Sequence, residues 1–383
     1  MKDKLFLMIP GPTPVPESVL QATAKHPIGH RSSEFSAILK QVFEDLKWFF
    51  QTKNDVFIFT ASGTGAMDAA LSNILNEGDK VLCLTMGNFG ERWGKIAQSR
   101  GADVETISVE WGETIDPATL KARLDKDTNK EIKVVTLTHN ETSTGAMNDV
   151  EALCKIIKEH GALSVVDGVT SVGAVPVKTD EWGIDILVSG SQKGFMIPPG
   201  LSFLSCSDRA FEAYKNCKYP SFYFDFGAHK KSLEKDTTPF TPNVNLIFGL
   251  HKALEMLKEE GLEAIYERHY KISKGIRAAV KAVGLELLVK DENAASRAIT
   301  AIVPPESLSV PDIRSAFQKD YDIVVANGQG KFLNKIFRMG HLGYVSERDA
   351  ITAIGALEGV LTKLNHNFEQ GAGLKALMVE LKK

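Results

Sequence analysis

The sequence predicts an α/β protein with a large, mainly parallel sheet and a smaller α+β domain at its C-terminal end. From residue 55 to residue 207, short apolar runs rich in β-branched residues alternate with amphipathic helical patterns. Strands that are apolar along their whole length are typical of a parallel sheet with helices on both faces. After Pro242 the pattern changes to a long helical stretch followed by short strands.

The 383 residues suggest two or three domains. We expect residues 1–20 to form an N-terminal arm, because proline is too frequent there for regular structure. Residues 21–255 are predicted to form the large domain and residues 256–383 the small one.

Each predicted element follows from its local pattern, taken in chain order. The strands of the large domain are predicted at DVFIFT, KVLCLT, IKVVTLTH, LSVVDG, IDILVSG and LSFLSCS. In the small domain, a helical pattern from residue 245 to residue 284 precedes strands at AITAIVP, DIVVANG and KIFRMG. Two further helices are predicted at SERDAITAIGALEGVLTKLN and GLKALMVELKK.

Charge and composition exclude several classes of function. The net charge of −3 and the absence of a dense basic patch give no indication of nucleic-acid binding. The apolar run Leu5–Ile9 is too short for a signal peptide, and no other stretch is long enough to span a membrane. The four cysteines are scattered, so we expect no metal site and a reducing, cytoplasmic location.

Three short segments carry polar residues at predicted strand ends. The first is FTASGTGAMDAAL, where a strand gives way to small residues and then to a helix. The N-terminus of that helix would favour an anion such as phosphate, although a plain strand–helix turn explains the pattern equally well. The segment is not a P-loop, and Asp68 occupies the third glycine position of a dinucleotide fingerprint.

The other two segments contribute an acid and a base. Asp167 ends the apolar strand LSVVD, and Lys193 follows the next strand in DILVSGSQKG. Asp167 could simply cap the following turn, and an isolated lysine usually reaches the surface. In an open α/β sheet, however, ligands bind at the carboxyl ends of the strands, where all three segments would lie.

Pyridoxal phosphate (PLP) requires all three features together. A lysine forms a Schiff base with its aldehyde, an acid keeps its pyridine nitrogen protonated, and a helix N-terminus holds its phosphate. A lysine that bonds to a cofactor does not remain a buried ammonium. We therefore expect PLP as the cofactor, with Lys193 and Asp167 as the catalytic residues.

At these residues the chain resembles the class V, fold type I PLP-dependent aminotransferases, and most closely their alanine/serine–glyoxylate (serine–pyruvate) branch. The motifs that carry the resemblance are SGTGAMDAAL, THNETSTG, VVDGVTSVGA, GIDILVSGSQKG with PPGLSF, and TPNVNLIFGL. Together they extend over nearly the whole chain. The segments GHRSSEF and SQKGFMIPPG also resemble sequences labelled as the small subunit of a soluble hydrogenase, but the scattered cysteines offer no nickel or iron–sulfur ligand set.

The resemblance implies a set of cofactor contacts. Phe89 would stack on the ring where the branch often has tryptophan, Val169 would pack on the ring, and Thr142 would lie near the ring hydroxyl. The phosphate would be held by the N-terminus of the first helix and by Gln192. The implied cofactor-binding residues are Ser62, Gly63, Thr64, Phe89, Thr142, Asp167, Val169, Gln192, Lys193 and Thr241.

The resemblance also implies a homodimer with shared active sites. Thr241 would reach the phosphate bound by the neighbouring subunit. Thr238 stands where the branch can have a tyrosine, which puts one such contact in doubt. Arg338 would bind the substrate carboxylate, and Gly11 would let the arm approach the substrate.

The implied reaction is amino transfer from serine or alanine to glyoxylate or pyruvate. Arg338 is the single arginine that the sequence indicates as a carboxylate clamp, which favours small neutral donors over dicarboxylates. The alternatives are aspartate as donor, another class V activity such as a lyase, and a non-catalytic subunit of a redox complex.

Overall fold

The computed structural model describes residues 5–383. Its strands are β1 (Phe6–Met8), β2 (Asp55–Phe59), β3 (Lys80–Thr85), β4 (Asp103–Ser108), β5 (Ile132–Thr138), β6 (Asn140–Glu141), β7 (Ala146–Met147), β8 (Leu163–Asp167), β9 (Ile186–Gly190), β10 (Ser202–Cys206), β11 (Glu286–Leu287), β12 (Ile299–Val303), β13 (Ile323–Asn327) and β14 (Phe337–Gly340). Its helices are α1 (Glu17–Thr23), α2 (Ser33–Phe50), α3 (Gly63–Ser72), α4 (Asn88–Ser99), α5 (Pro117–Asp125), α6 (Val150–His160), α7 (Asp208–Lys215), α8 (Phe226–Leu233), α9 (Val244–Glu260), α10 (Leu262–Ala282), α11 (Val310–Tyr321), α12 (Glu347–Lys363) and α13 (Ala372–Leu381).

The large sheet has seven strands in the order β2-β10-β9-β8-β5-β3-β4. Strands β4, β3, β5, β8 and β9 pair in parallel, whereas β10 is antiparallel to both of its neighbours, β9 and β2. The prediction of a mainly parallel sheet is therefore confirmed. Since β2 and β9 are both antiparallel to β10, they point in the same direction as each other. The carboxyl end of β2 therefore lies at the same edge of the sheet as the carboxyl end of β9.

Helices cover both faces of this sheet, as buried apolar strands require. On one face, α2 and α9 bury an aromatic core around Phe35, Phe49 and Phe195. On the other face, α3 and α4 pack through alanines and the fully buried Trp93. Trp93 is thus a packing residue, and the carboxyl edge between the two helical layers stays open for a site.

The small sheet has the order β1-β13-β14-β12-β11, with β1 and β13 parallel and the remaining pairs antiparallel. The three small-domain strands and both C-terminal helices that the sequence predicts are confirmed. The long helical pattern after Pro242 is two helices, because Gly261 (φ 83°) ends α9 and begins α10.

The expectation that residues 1–20 lack regular structure is wrong for the described part of that segment. Phe6–Met8 forms an edge strand on β13, and α1 begins at Glu17 directly after Pro16. A strand of three residues is too short to show a periodic pattern, and its partner lies more than 300 residues away in sequence. The predicted domain boundary at residue 256 falls inside α9, while the small-sheet core takes in Met8 and residues from Ile272 onward. The division into an arm and two domains stays a prediction.

No helix within residues 5–383 has both the length and the apolar character that spanning a bilayer would demand.

Candidate active site

A cavity of about 180 Å³ lies at the carboxyl edge of the large sheet. The loops that follow β2, β3, β5, β8 and β9 all reach it, because these strands point the same way. Its lining residues are Ser62, Gly63, Thr64, Met67, Phe89, Arg92, Thr142, Asp167, Val169, Gln192 and Lys193. Nine of the predicted site residues therefore share one cavity.

The N-terminus of α3 forms one end of the cavity. Ser62 is the N-cap residue, but its hydroxyl makes no capping hydrogen bond, so it remains available to a ligand. The first N–H groups of a helix have no partner within the helix, and the helix dipole adds positive potential there. Gly63 lies against Val169: a Cβ on Gly63 would stand 3.0 Å from Val169 Cγ2, which explains why a glycine occupies this position.

Asp167 is the last residue of β8, and its side chain is 4% exposed. Its Oδ1 accepts a hydrogen bond of 2.8 Å from the Val169 N–H, which holds the carboxyl in place. Burial raises the pKa of Asp167 to about 6, while the Val169 N–H and the nearby cations Arg92 and Lys193 oppose that rise. At neutral pH the group is a buried carboxylate that can accept a hydrogen bond from a protonated nitrogen.

Lys193 is partly buried and lies three residues after the end of β9, within a loop that contains no helix. Its Nζ donates a hydrogen bond of 2.6 Å to the Pro10 carbonyl. Burial lowers the pKa of Lys193 to about 8, and Arg338 adds to the effect while Asp167 opposes it. A lysine with this pKa is partly neutral near pH 7, so its amine can act as a nucleophile or as a base.

The segment from Pro10 to Thr13 lies directly over Lys193. Thr13 donates from its N–H to the Gln192 carbonyl at 3.1 Å and from its hydroxyl to the Lys193 carbonyl at 3.2 Å. Gly11 has φ 142°, and a Cβ at this position would stand 2.5 Å from Lys193 Nζ. Glycine thus permits the close approach of the backbone to the lysine amine.

Arg338 stands on β14 at the side of the cavity nearest the small sheet, and it is 5% exposed. Its Nε and Nη2 donate to the Asn327 carbonyl at 2.9 and 2.7 Å, and its Nη1 donates to the Thr142 carbonyl at 2.6 Å. A guanidinium has five N–H groups, so one on each terminal nitrogen remains for a carboxylate. Burial lowers the pKa of Arg338 to about 10, which still leaves it charged at neutral pH.

A class V aminotransferase family profile matches residues 5–341 of this chain. The chain belongs to the class V aminotransferase family.

Individual relatives agree with this assignment over nearly their whole length. The chain is 38% identical to an L-aspartate–glyoxylate aminotransferase from Paracoccus denitrificans, over 97% of this chain and 94% of the relative. It is also 38% identical to a serine–glyoxylate aminotransferase from Methylorubrum extorquens, with the same coverage. The crystal structure of a Bacillus subtilis ureidoglycine–glyoxylate aminotransferase superposes with a TM-score of 0.95 at 28% identity, covering 100% of this chain and 99% of that one. The fold is therefore that of the fold type I PLP aminotransferases.

A more similar relative carries a different kind of name. A protein of Anabaena cylindrica named soluble hydrogenase 42 kDa subunit is 53% identical, over 98% of both chains. Among residues 5–383, no group of three or more histidine, cysteine or acidic side chains is arranged to hold a metal ion. The cysteines that the sequence places in strands, Cys83 and Cys206, are buried there as small side chains.

Two polar residues complete the lining of this class V aminotransferase cavity. The Thr142 hydroxyl lies 3.1 Å from that of Thr170, which Asn140 in turn holds through a bond of 2.9 Å. The side-chain oxygen of Gln192 is buried without a hydrogen-bond partner. Buried polar atoms without a partner are uncommon, so the Gln192 amide marks a place where a ligand would be bound.

Of the predicted cofactor-binding residues, Thr241 is the one that does not line the cavity. It is exposed, and its hydroxyl lies 3.5 Å from His30 Nε2. Thr238, three residues earlier, is buried and donates its hydroxyl to the Phe240 carbonyl within the same loop. Arg31 holds this loop through hydrogen bonds to Thr237 and to the Thr238 and Pro239 carbonyls.

Sequence reasoning missed Arg92, Glu141 and Pro10. Glu141 is fully buried beside Thr142 and accepts hydrogen bonds from the N–H groups of Phe89, Gly90 and Ser143 and from the Ser143 hydroxyl. It therefore anchors the start of α4, which carries Phe89. A charged residue inside the otherwise small and polar NETSTG segment is a signal that could have identified it.

His139, in the same segment, does not line this cavity. Its ring packs against Trp182 at 5.9 Å and faces a separate depression.

Proposed function

We propose that the chain transfers an amino group between a small amino acid, serine or alanine, and a 2-oxo acid, glyoxylate or pyruvate, with PLP as cofactor. The observation that carries this proposal is the presence, in one cavity, of a partly buried lysine of lowered pKa, a buried aspartate and the uncapped N-terminus of α3. Membership of the class V aminotransferases supports it independently.

The residues present fit PLP. The free N–H groups of α3 and the Ser62 hydroxyl would hold its phosphate, and the side-chain NH2 group of Gln192, which lines the same cavity, would donate to it. Asp167 would pair with its pyridine nitrogen, and Phe89 and Val169 would enclose its ring. When bound, PLP supplies an aldehyde that links to amines and a ring that takes up the electron pair released at the substrate α-carbon.

Lys193 would link to the cofactor aldehyde at rest and act as the base once a substrate amine replaces it. Its freed Nζ would move a proton between the substrate α-carbon and C4′ of the cofactor. The lowered pKa suits this role, because a general base works best when its pKa lies near the operating pH. The Pro10 carbonyl would accept a hydrogen bond from the free amine and hold it close to the reacting atoms.

Asp167 would hold the proton on the pyridine nitrogen. The hydrogen bond from the Val169 N–H restrains the orientation of the Asp167 carboxylate, which suits an acceptor that must face one ring atom.

Arg338 would bind the substrate carboxylate with its two free N–H groups, one on each terminal nitrogen. Serine and alanine are the preferred donors because a relative is named serine–glyoxylate aminotransferase. Aspartate is the second candidate, since Arg92 places another cation in the cavity and a relative is named L-aspartate–glyoxylate aminotransferase.

We also propose that the chain works as a homodimer in the cytoplasm. Thr241 is exposed and outside its own cavity, which suits a residue that contacts the phosphate bound by a partner. The four free cysteines fit a reducing compartment.

The first experiment is a visible absorption spectrum of the purified chain, supplied with PLP, before and after addition of L-serine, L-alanine or L-aspartate. We expect a yellow band that bleaches with serine or alanine, and no bleaching in a Lys193→Met variant. Bleaching with aspartate alone would overturn the choice of donor but not the reaction. A chain that acquires no visible band would contradict the enzyme proposal and favour a non-catalytic subunit.

A further inference from the structure

Besides Arg338 at its side, the cavity has an arginine in its lining, Arg92, to which the proposed transfer from serine or alanine gives no role. Arg92 is the fifth residue of α4, three residues after Phe89, so both side chains lie on one face of the helix. Its guanidinium carbon stands 4.6 Å from the centre of the Phe89 ring. Its Nη1 donates a hydrogen bond of 2.7 Å to the Thr64 hydroxyl, at the N-terminus of α3.

Arg92 has more donors than partners. One of its five N–H groups is used by Thr64. None of the ion pairs among residues 5–383 includes it, in contrast to Arg123, which is held by Glu105 through two hydrogen bonds. A cation that lines a cavity with several unused donors is suited to bind an anion there.

Arg92 and Arg338 lie at different sides of the cavity. Arg338 contacts the Thr142 carbonyl and adds to the depression of the Lys193 pKa. Arg92 contacts Thr64 and opposes the rise in the pKa of Asp167. Arg92 therefore adds its positive charge to the end of the cavity where the N-terminus of α3 already favours an oxyanion.

We propose that Arg92 binds an oxyanion in this cavity, together with the N-terminus of α3. The proposal rests on the proposed function, which supplies two sources of such a group: the phosphate of PLP and the side-chain carboxylate of a dicarboxylic donor. The phosphate is the expected source, because Arg92 already contacts Thr64 at the N-terminus of α3.

The test compares wild type with Arg92→Gln and Arg92→Lys. Equilibrium binding of PLP and of pyridoxal, which lacks the phosphate, is measured on the full chain after removal of cofactor. The rates of bleaching by aspartate and by alanine are measured on the loaded protein. Lys95→Gln is the matched control, because Lys95 is exposed on the same helix and its loss removes the same charge.

We expect Arg92→Gln to weaken PLP binding by about tenfold or more and to leave pyridoxal binding unchanged, since a charged hydrogen-bonded pair is lost. Arg92→Lys should restore part of the difference. Unchanged PLP binding with a tenfold loss of rate for aspartate alone would support the same proposal and identify the donor carboxylate as the anion.

Two results would overturn the proposal. One is an equal change for PLP and pyridoxal without a selective loss of rate for aspartate, which would mean that Arg92 only packs against Phe89. The other is no change in any of the four measurements. If the wild-type chain binds neither PLP nor pyridoxal, the proposed function fails, and the Arg92 proposal fails with it.

Discussion

The wall of the cavity that carries Asp167 and the wall that carries Arg338 hold their charged groups in different ways. Asp167 is fixed by the N–H of Val169, two residues along the chain. Arg338 is fixed by the carbonyls of Asn327 and Thr142, the second of which is 196 residues away. The first wall belongs to the large sheet alone, whereas the second forms only when the small sheet packs against it.

Lys193 lies where the two walls meet. Its position comes from β9 in the large sheet, but its amine is bonded to Pro10, which follows the edge strand β1 of the small sheet. The comparison teaches that Asp167 is positioned locally, while Lys193 and Arg338, the proposed base and carboxylate clamp, depend on contacts between distant parts of the chain.

The largest expected effect comes from replacing the residue shared by both walls. Lys193→Met should lower kcat by roughly 10²–10⁴-fold, because the proposed base is lost while the volume of the side chain is nearly kept. Steady-state kinetics with alanine and glyoxylate measure this effect. Lys95→Met, on the exposed side of α4, should be unchanged, and retention of more than a tenth of the activity by Lys193→Met would show that another group is the base.

The Lys193→Met variant should also have a larger free energy of unfolding than the wild type. Burial lowers the pKa of Lys193, so the folded chain binds this proton more weakly than the unfolded chain does. The resulting penalty is fully present below pH 8 and vanishes as the pH rises to about 10.5, the unfolded value. In cofactor-free protein, Lys193→Met should therefore be more stable at pH 7 by up to roughly 3 kcal/mol.

Denaturant unfolding of both proteins between pH 7 and pH 10.5 checks the sign and the pH window. The difference between the two free energies of unfolding should shrink as the pH rises. A difference that is constant with pH would mean that packing, and not the charge of Lys193, sets it.

The smallest effect on kcat is expected from a substitution at Gly11, in the segment that follows β1 of the small sheet. Gly11→Ala would place a Cβ 2.5 Å from Lys193 Nζ at a positive φ, so the segment over the lysine must shift. We expect kcat to fall by about tenfold, which corresponds to roughly 1.4 kcal/mol. Gly29→Ala is the control, because nothing lies within 4 Å of a Cβ there. Equal kinetics for the two variants would indicate that the approach of Gly11 to Lys193 is not needed.

The strand-end part of the site could be predicted from sequence. Asp167, Lys193 and the Ser62–Thr64 turn were recognisable because each follows an apolar run, and parallel strands bring such ends together. Arg92 was within reach of the same reasoning, since a spacing of three residues from Phe89 places both on one helix face. The antiparallel direction of β10 was also readable: residues 191–201 join it to β9 without the helix that a parallel connection uses.

By itself, the sequence determined the α/β class, the order of the strands and helices along the chain, and the placement of Asp167, Lys193 and the N-terminus of α3 at one edge of the sheet. These depend on local patterns of apolar, small and polar residues. The tertiary structure alone decided that Pro10 meets Lys193, that Arg338 is held by Thr142 and that Thr241 lies beside His30, outside the lining of its own cavity. Contacts between residues 180 or more apart leave no periodic trace, because they depend on how two sheets pack and not on the pattern within either.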